Sequence, residues 1–383
     1  MAVRSLLSRL GFALGRLLPL RSRVVLATAH GDRISGNLAW IRQGIRRELP
    51  GVPIVELADR PSRGPRSLAR SALWTIRAGF HLATARLFVV DDYFFPMYAV
   101  RPRPGTRYVQ VWHACGAFKK FGYSVLDKGF GADEAYARAV RLHANYDLCL
   151  VSAARFVPAY AEAFGQPPEK FDSTIGIPRT DLFFDQARAA AAARVARRRY
   201  AIPEGRRVVL YAPTFRGTRI TQARSPIDLD LGALGRAIGD DHVVLLRDHP
   251  FVRSRRRTDD APPGFVIDAS DHPDVNELLL VADVLVTDYS SVIFEFSLLG
   301  RPIAFLAPDH EAYERERGFY FDFATAGPGP IFTTTAELAA WLRAGEFDTE
   351  RVRRFAAESF DAADGQATAR FVERVVAPAM RVG

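Results

Sequence analysis

Cysteine is nearly absent. Only Cys115 and Cys149 occur in 383 residues, so no disulfide framework and no cysteine-based zinc site can be built beyond a single bridge. That usage fits a reducing compartment and argues against secretion. Lysine is scarce too, present only at Lys119, Lys120, Lys128 and Lys170. Most of the 52 basic side chains are therefore arginine, a bias that reads as genome base composition rather than as a nucleic-acid interface. No apolar run approaches the roughly 20 residues that a bilayer span needs. Near the N-terminus Arg9 and Arg16 interrupt every candidate stretch, so a secretory signal peptide is not expected either. Glycine-rich phosphate loops are missing as well. Neither GxGxxG nor GxxxxGK[ST] occurs, which removes the dinucleotide fingerprint and the P-loop.

What is present describes a folded protein. Hydrophobic residues make up 48% and charged residues 25%, which excludes a disordered chain and a multi-span membrane protein. A chain of this length exceeds one ordinary core and predicts two domains. The net charge of +9 implies attraction to something anionic: nucleic acid, a lipid surface or phosphate-bearing substrates. The first 22 residues carry Arg4, Arg9, Arg16 and Arg21, with leucine and phenylalanine at helical spacing and no acid before Asp32. They predict a basic amphipathic helix. It either lies on an anionic membrane surface or packs on its own domain.

Short β-branched apolar runs recur at 23–27, 86–90, 108–111, 148–152, 208–212, 243–246, 284–287 and 303–306, with helix-length segments between most of them. This alternation predicts an α/β chain built of parallel sheets covered by helices on both faces. The alanine- and arginine-rich stretch 187–199, followed by Pro203 and Gly205, suggests a domain boundary near residue 195. The expected organisation is a basic helix over 1–22, one domain over 23–195, a second over 196–365, and a C-terminal helix over 366–383 that packs back on the first domain.

Chemistry-bearing residues cluster after the predicted strands. His113 follows TRYVQVW, and His249 follows VVLLRD. In open α/β sheets ligands bind beyond the carboxyl ends of strands, so the two histidines would face one cleft if the halves oppose each other. After the strand ending at Thr287, Asp288, Ser290 and Ser291 open a helix over 292–299 that stops at Gly300. That start is either a phosphate-binding nest of backbone N–H groups and hydroxyls or an ordinary capped helix. Thr214 and Arg216 follow another strand, where Arg216 has the geometry to clamp a phosphate or to lie solvated on the surface. Asp91 and Asp92 also end a strand. Adjacent carboxylates on an extended chain point to opposite faces, which favours turn capping over a cation site.

The segments WHACGAFKKFG, YAPTFRG, LRDHP, TDYSSVIFEF, GRPIAF and GFYFDF, in this order, closely resemble the CDP-glycerol glycerophosphotransferase family, which builds teichoic-acid-like polymers. GDRISGN at 31–37 and GIPRTDLFF at 176–184 extend the resemblance. It implies a GT-B fold, with two Rossmann-like domains facing across a cleft and the nucleotide held mainly by the C-terminal one. It also implies a peripheral enzyme at the cytoplasmic face of the membrane that uses no metal or other cofactor. Glycerol phosphate would pass from CDP-glycerol to a polyprenyl-diphosphate-linked saccharide or a growing polymer, with release of CMP. By the same resemblance His113 is the general base toward the acceptor hydroxyl, and His249 stabilises the transferring phosphate. Ser290 and Ser291 hold the pyrophosphate, Thr214 and Arg216 lie near the nucleotide, Arg247 sits beside the phosphates, and Glu295 faces the ribose. The chain departs from the family where many members read WHGTPLKK and where VDDYF at 90–94 replaces an asparagine-bearing segment. CDP-ribitol or another CDP-polyol therefore stands beside CDP-glycerol, and a GT-B transferase of NDP-sugars is a further alternative. A nucleic-acid partner is not expected, because the chain lacks the interleaved aromatic and basic residues of a known module.

Overall fold

A computed structural model describes residues 2–29, 31–58, 65–128, 134–217, 222–226, 229–252 and 258–381. The chain forms two compact units, Met1–Cys115 with Ala132–Asp181 and Phe360–Gly383, and Gly116–Gly131 with Leu182–Ser359.

The first unit begins with helix α1 (Ala2–Arg16), followed by β1 (Arg21–Thr28), α2 (Gly36–Glu48), β2 (Ile54–Ala58), α3 (Pro65–Thr84) and β3 (Ala85–Val90). Then come β4 (Arg107–Gln110), β5 (Leu148–Leu150) and β6 (Phe171–Asp172). The sheet runs β2-β1-β3-β4-β5-β6 and every ladder is parallel. Its central strands are buried on both faces, with Val24 to Ala27 and Leu87 to Val90 fully enclosed. This is why they read as continuous apolar runs.

Helices α1 and α3 touch backbone to backbone. A Cβ added to Gly11 would lie 2.0 Å from the Ile76 carbonyl oxygen, and one added to Gly79 would lie 2.1 Å from that of Ser8. Only glycine permits so close a crossing. The C-terminal helical segment, opening at Ala367–Phe371, belongs to the same unit, and the Asp181 carboxylate caps its start by accepting from the Ala367 and Thr368 N–H groups at 3.0 and 2.8 Å.

The second unit carries β7 (Arg207–Tyr211), β8 (His242–Leu246), β9 (Val266–Asp268), β10 (Val284–Thr287), β11 (Ile303–Leu306) and β12 (Ile331–Phe332). The sheet order is β12-β11-β10-β7-β8-β9, again all parallel. One face packs Val209, Tyr211, Val244 and Leu246 against Leu234 and Ile238 of the helix Leu231–Ile238 and against Leu338 and Leu342. Each such side chain taken fully from water contributes about 1.5–3 kcal/mol.

The junctions differ from the boundaries read near 195 and 365. The chain enters the second unit after Asp181 and leaves it after Ser359. The helix Gln186–Arg199 therefore belongs wholly to the second unit, where Arg199 and the following Tyr200 bond Asp271 at 3.2 and 3.1 Å. The stretch just after His113 joins the second unit as well. Lys119 forms an antiparallel bridge with Phe319, and the Lys120 N–H donates to the Gly318 carbonyl at 3.0 Å.

Candidate functional site

Counted from its own first strand, the second sheet has the order 3-2-1-4-5-6, and the direction of winding reverses between β7 and β10. Ligands of such sheets bind at that switch point, beyond the carboxyl ends of the two strands. The loop after β7 supplies Thr214 and Arg216, and the turn after β10 supplies Asp288, Ser290 and Ser291.

Asp288 is buried at 1% exposure and fully engaged. Its carboxylate accepts from the Thr214 N–H at 2.8 Å, the Thr214 hydroxyl at 3.0 Å, the Tyr289 N–H at 2.6 Å and Arg216 Nη1 at 2.8 Å. Arg216 neither points outward as a free clamp nor lies solvated on the surface, the two readings the sequence left open. Its Nε and Nη2 donate to both oxygens of Asp309 at 2.6 and 3.1 Å, and its guanidinium lies over the rings of Tyr289 and Tyr313, 5.2 Å from each centre. Burial alone would lower the Arg216 pKa, but Asp288 and Asp309 outweigh it and hold the group firmly charged. Thr214, Arg216 and Asp288 thus form an internal frame that fixes two strand ends. Ser290 and Ser291 remain half-buried at the start of the helix Val292–Ser297. Ser290 Oγ accepts weakly from the Val292 N–H at 3.4 Å, and Ser291 makes no side-chain cap bond. Glu295 is buried in that helix.

Arg247 is buried at the end of β8, with its guanidinium on the backbone carbonyls of Asp248 and His272 at 2.6 and 3.2 Å. Burial lowers its pKa. His249 stands against Phe215 and Phe251, with ring centres 4.9 and 4.8 Å away, and so beside the Thr214–Arg216 loop. Its Nδ1 accepts from the Phe251 N–H at 3.2 Å. The neutral ring therefore carries its proton on Nε2 and acts as a hydrogen-bond donor there.

In the first unit the winding reverses between β1 and β3, and Asp91 and Asp92 end β3 there. His113 follows the adjacent β4 and is 45% exposed. Its Nδ1 lies 3.2 Å from the Asp91 carbonyl and 3.7 Å from the Asp92 carboxylate. A carbonyl only accepts, so Nδ1 holds the proton and Nε2 is the basic nitrogen. The two histidines are thus set by backbone groups in opposite tautomers. Asp92, read from the sequence as a turn cap, does accept from the Tyr93 N–H at 2.7 Å. It also places a carboxylate 3.7 Å from the same ring nitrogen.

Trp112, one residue before His113, has φ +49°. For a bulky residue this left-handed conformation costs on the order of 1–3 kcal/mol and persists only where the surroundings enforce it. The Trp112 ring is buried and lies 4.3 Å from that of His113, centre to centre. Sequence reasoning missed Asn37, Gln110, Tyr289 and Asp309. Asp309 follows a strand end, and Asn37 sits in the GDRISGN segment, so position was the available signal for both.

Residues 12–377 match the sequence profile of the CDP-Glycerol:Poly(glycerophosphate) glycerophosphotransferase family. The chain is 38% identical over 363 residues to a teichoic acid ribitol-phosphate primase of Bacillus spizizenii, an alignment spanning 94% of this chain and 92% of that protein. It is 34% identical over 365 residues to a teichoic acid poly(ribitol-phosphate) polymerase of the same organism, spanning 95% of this chain and 58% of that protein. Among solved structures, the wall teichoic acid polymerase TagF superposes with a TM-score of 0.81 over 99% of this chain and 94% of that one, at 23% identity, a likeness of fold.

Proposed function

Because the chain belongs to the CDP-glycerol:poly(glycerophosphate) glycerophosphotransferase family, we propose that it transfers a polyol phosphate from a CDP-polyol to a lipid-linked teichoic-acid-type acceptor at a membrane surface. It is a transferase of the GT-B type, with two Rossmann-like parallel-sheet units. The observation that carries the assignment of roles is the opposite tautomers of the two histidines. His113 Nε2 takes the proton of the acceptor hydroxyl as its oxygen attacks the phosphorus that bears the polyol. The bond from that phosphorus to the bridging oxygen breaks, and CMP leaves with the electron pair. His249 Nε2–H donates to a phosphate oxygen where negative charge builds, as do the Ser290 and Ser291 hydroxyls. Phosphoryl transfer needs positioning and charge stabilisation, and these residue types supply both. Arg216 and Asp288 serve by fixing the loops that carry the phosphate contacts.

The family's name supports glycerol phosphate as the transferred group. Ribitol phosphate is the second reading, favoured by the 38% and 34% identities to two ribitol-phosphate enzymes. The lipid-linked acceptor and the membrane surface draw support from α1, whose Leu6, Leu10 and Leu14 stand exposed among arginines. Among the described residues no helix is long and apolar enough to cross a membrane.

The test is CMP release by purified protein from CDP-glycerol and, separately, CDP-ribitol, with a synthetic lipid-linked disaccharide as acceptor. Release with one donor fixes the polyol. Release of a nucleoside diphosphate from a sugar nucleotide, with no CMP from either donor, would overturn the assignment. His113→Asn should lower kcat 100-fold or more, the usual order for loss of a general base. A variant keeping more than about a tenth of the activity contradicts the base role.

A further inference from the structure

The GDRISGN segment has no part in the chemistry above, yet it ends on the side chain that closes over the His113 turn. Asn37 is the second residue of α2 and is buried at 1% exposure. Its Nδ2 donates to the carbonyls of Val111 and Trp112 at 3.0 and 2.8 Å, and its Oδ1 accepts from the Arg179 N–H at 3.1 Å. The turn is gripped from its other side by Gln110. There Oε1 accepts from the Trp112 N–H at 2.8 Å, and Nε2 donates to the Asp92 carbonyl at 3.1 Å and to the Tyr146 hydroxyl at 3.0 Å. The Tyr160 hydroxyl takes the Ala114 carbonyl at 3.2 Å. Trp112 therefore has its N–H held by one buried amide and its carbonyl by another, across the one strained φ in this turn. A loop held only by its own turn would relax an aromatic residue out of the left-handed region.

We propose that Asn37 is a positioning residue for the transfer reaction: it locks the strained Trp112 turn and thereby aims His113, without touching substrate itself. This rests on the reading of His113 as the base. Both ends of the Asn37 amide are saturated, so its geometry is set by α2 and by the Arg179 backbone, and a change there moves the His113 ring rather than a ligand contact. Displacing a catalytic group by about an ångström lowers rate by roughly 100-fold.

The experiment compares wild type, Asn37→Asp, His113→Asn and the double variant. Asn37→Asp keeps the volume and the acceptor but removes both donors. The expected result is a kcat lower by roughly 10- to 100-fold, an unchanged KM for the CDP-polyol, and a double variant no slower than His113→Asn alone. If Asn37→Asp melts below the assay temperature, Asn37→Ser, which retains one donor without facing a charge toward the carbonyls, takes its place. A kcat within twofold of wild type while His113→Asn is inactive overturns the positioning role and leaves the base role standing. Additive losses in the double variant overturn it too, because Asn37 would then act other than through His113. An active His113→Asn removes the premise itself.

Discussion

His143 is enclosed behind the strand end that carries His113. Its ring stacks on Phe164 with centres 3.9 Å apart, and its Nδ1 lies 3.3 Å from the Tyr146 hydroxyl. Burial lowers its pKa from 6.5 to about 3, against a smaller opposing pull from Asp92. The unfolded chain therefore binds a proton below pH 6.5 that the folded chain takes up only near pH 3, so the stabilisation is present above pH 6.5 and is lost as pH falls through this window. At pH 5 the loss from this one ring amounts to about 2 kcal/mol. His81, lowered to about 4 by burial and then by Arg23, Arg77 and Arg21, acts in the same direction. Replacing His143 by Phe preserves the stack and removes the titration. Urea melts at pH 7 and pH 5 should show wild type losing about 2 kcal/mol more than His143→Phe between the two. Parallel losses would mean that the ring is solvated in solution.

At the scale of elements, Arg216 joins three strand ends, those of β7, β10 and β11, through Thr214, Asp288 and Asp309. Removing it leaves two carboxylates facing each other without their cation, one of them with a side chain only 2% exposed. Arg216→Ala should lower stability by about 3–5 kcal/mol, read as a lower melting midpoint for the second unit. Arg216→Lys should recover only part of this, since an ammonium cannot span both carboxylates as a planar fork does. A melt like that of wild type would show that the pair is solvated and that Arg216 is available to a ligand. This frame was illegible in the sequence because Asp309 lies 93 residues from Arg216, and nothing in local spacing announces the pairing. The strands divide the same way. All eight strands read from apolar runs exist, and the four that were missed, β2, β6, β9 and β12, are the four sheet edges. Edge strands are covered less completely, as the half-buried β9 and β12 show, so their sequences are not continuously apolar. Likewise the places of His113 and His249 just beyond strands were legible, whereas the hydrogen bonds of Asn37 and Gln110 run to backbone groups that no residue pattern encodes.

For the whole molecule, a charge of +9 sits on a chain whose first helix turns leucines outward. Gly11, Phe12 and Gly15 of α1 face inward, consistent with its close packing on α3, while Leu6, Leu10 and Leu14 are 67%, 47% and 50% exposed and α3 adds Leu68 and Leu73. The sequence left two fates open for this helix, membrane contact or intramolecular packing, and its two faces are compatible with both at once. Burying a leucine in the lipid boundary contributes about 1.5–3 kcal/mol, and each nearby arginine adds about 1 kcal/mol on an anionic leaflet. Leu10 and Leu14, 47% and 50% exposed, have only about half of that left to gain, and together with Leu6 and the exposed Arg4, Arg9 and Arg16 they support the proposed reversible docking without a span. Co-sedimentation with vesicles containing anionic lipid should be strong at low salt and weaker at high salt, and purely zwitterionic vesicles should retain less protein. Changing Leu6, Leu10 and Leu14 together to Ser should release the protein from vesicles with only a small drop in melting point, because these are the more exposed side chains of α1 and the cost is mainly helix propensity and the half of Leu10 and Leu14 that is covered. CMP release with a water-soluble acceptor analogue should survive the triple change, and turnover of a vesicle-borne acceptor should fall. Undiminished sedimentation of the triple variant would assign membrane contact to another face and leave α1 as a helix that serves only the fold.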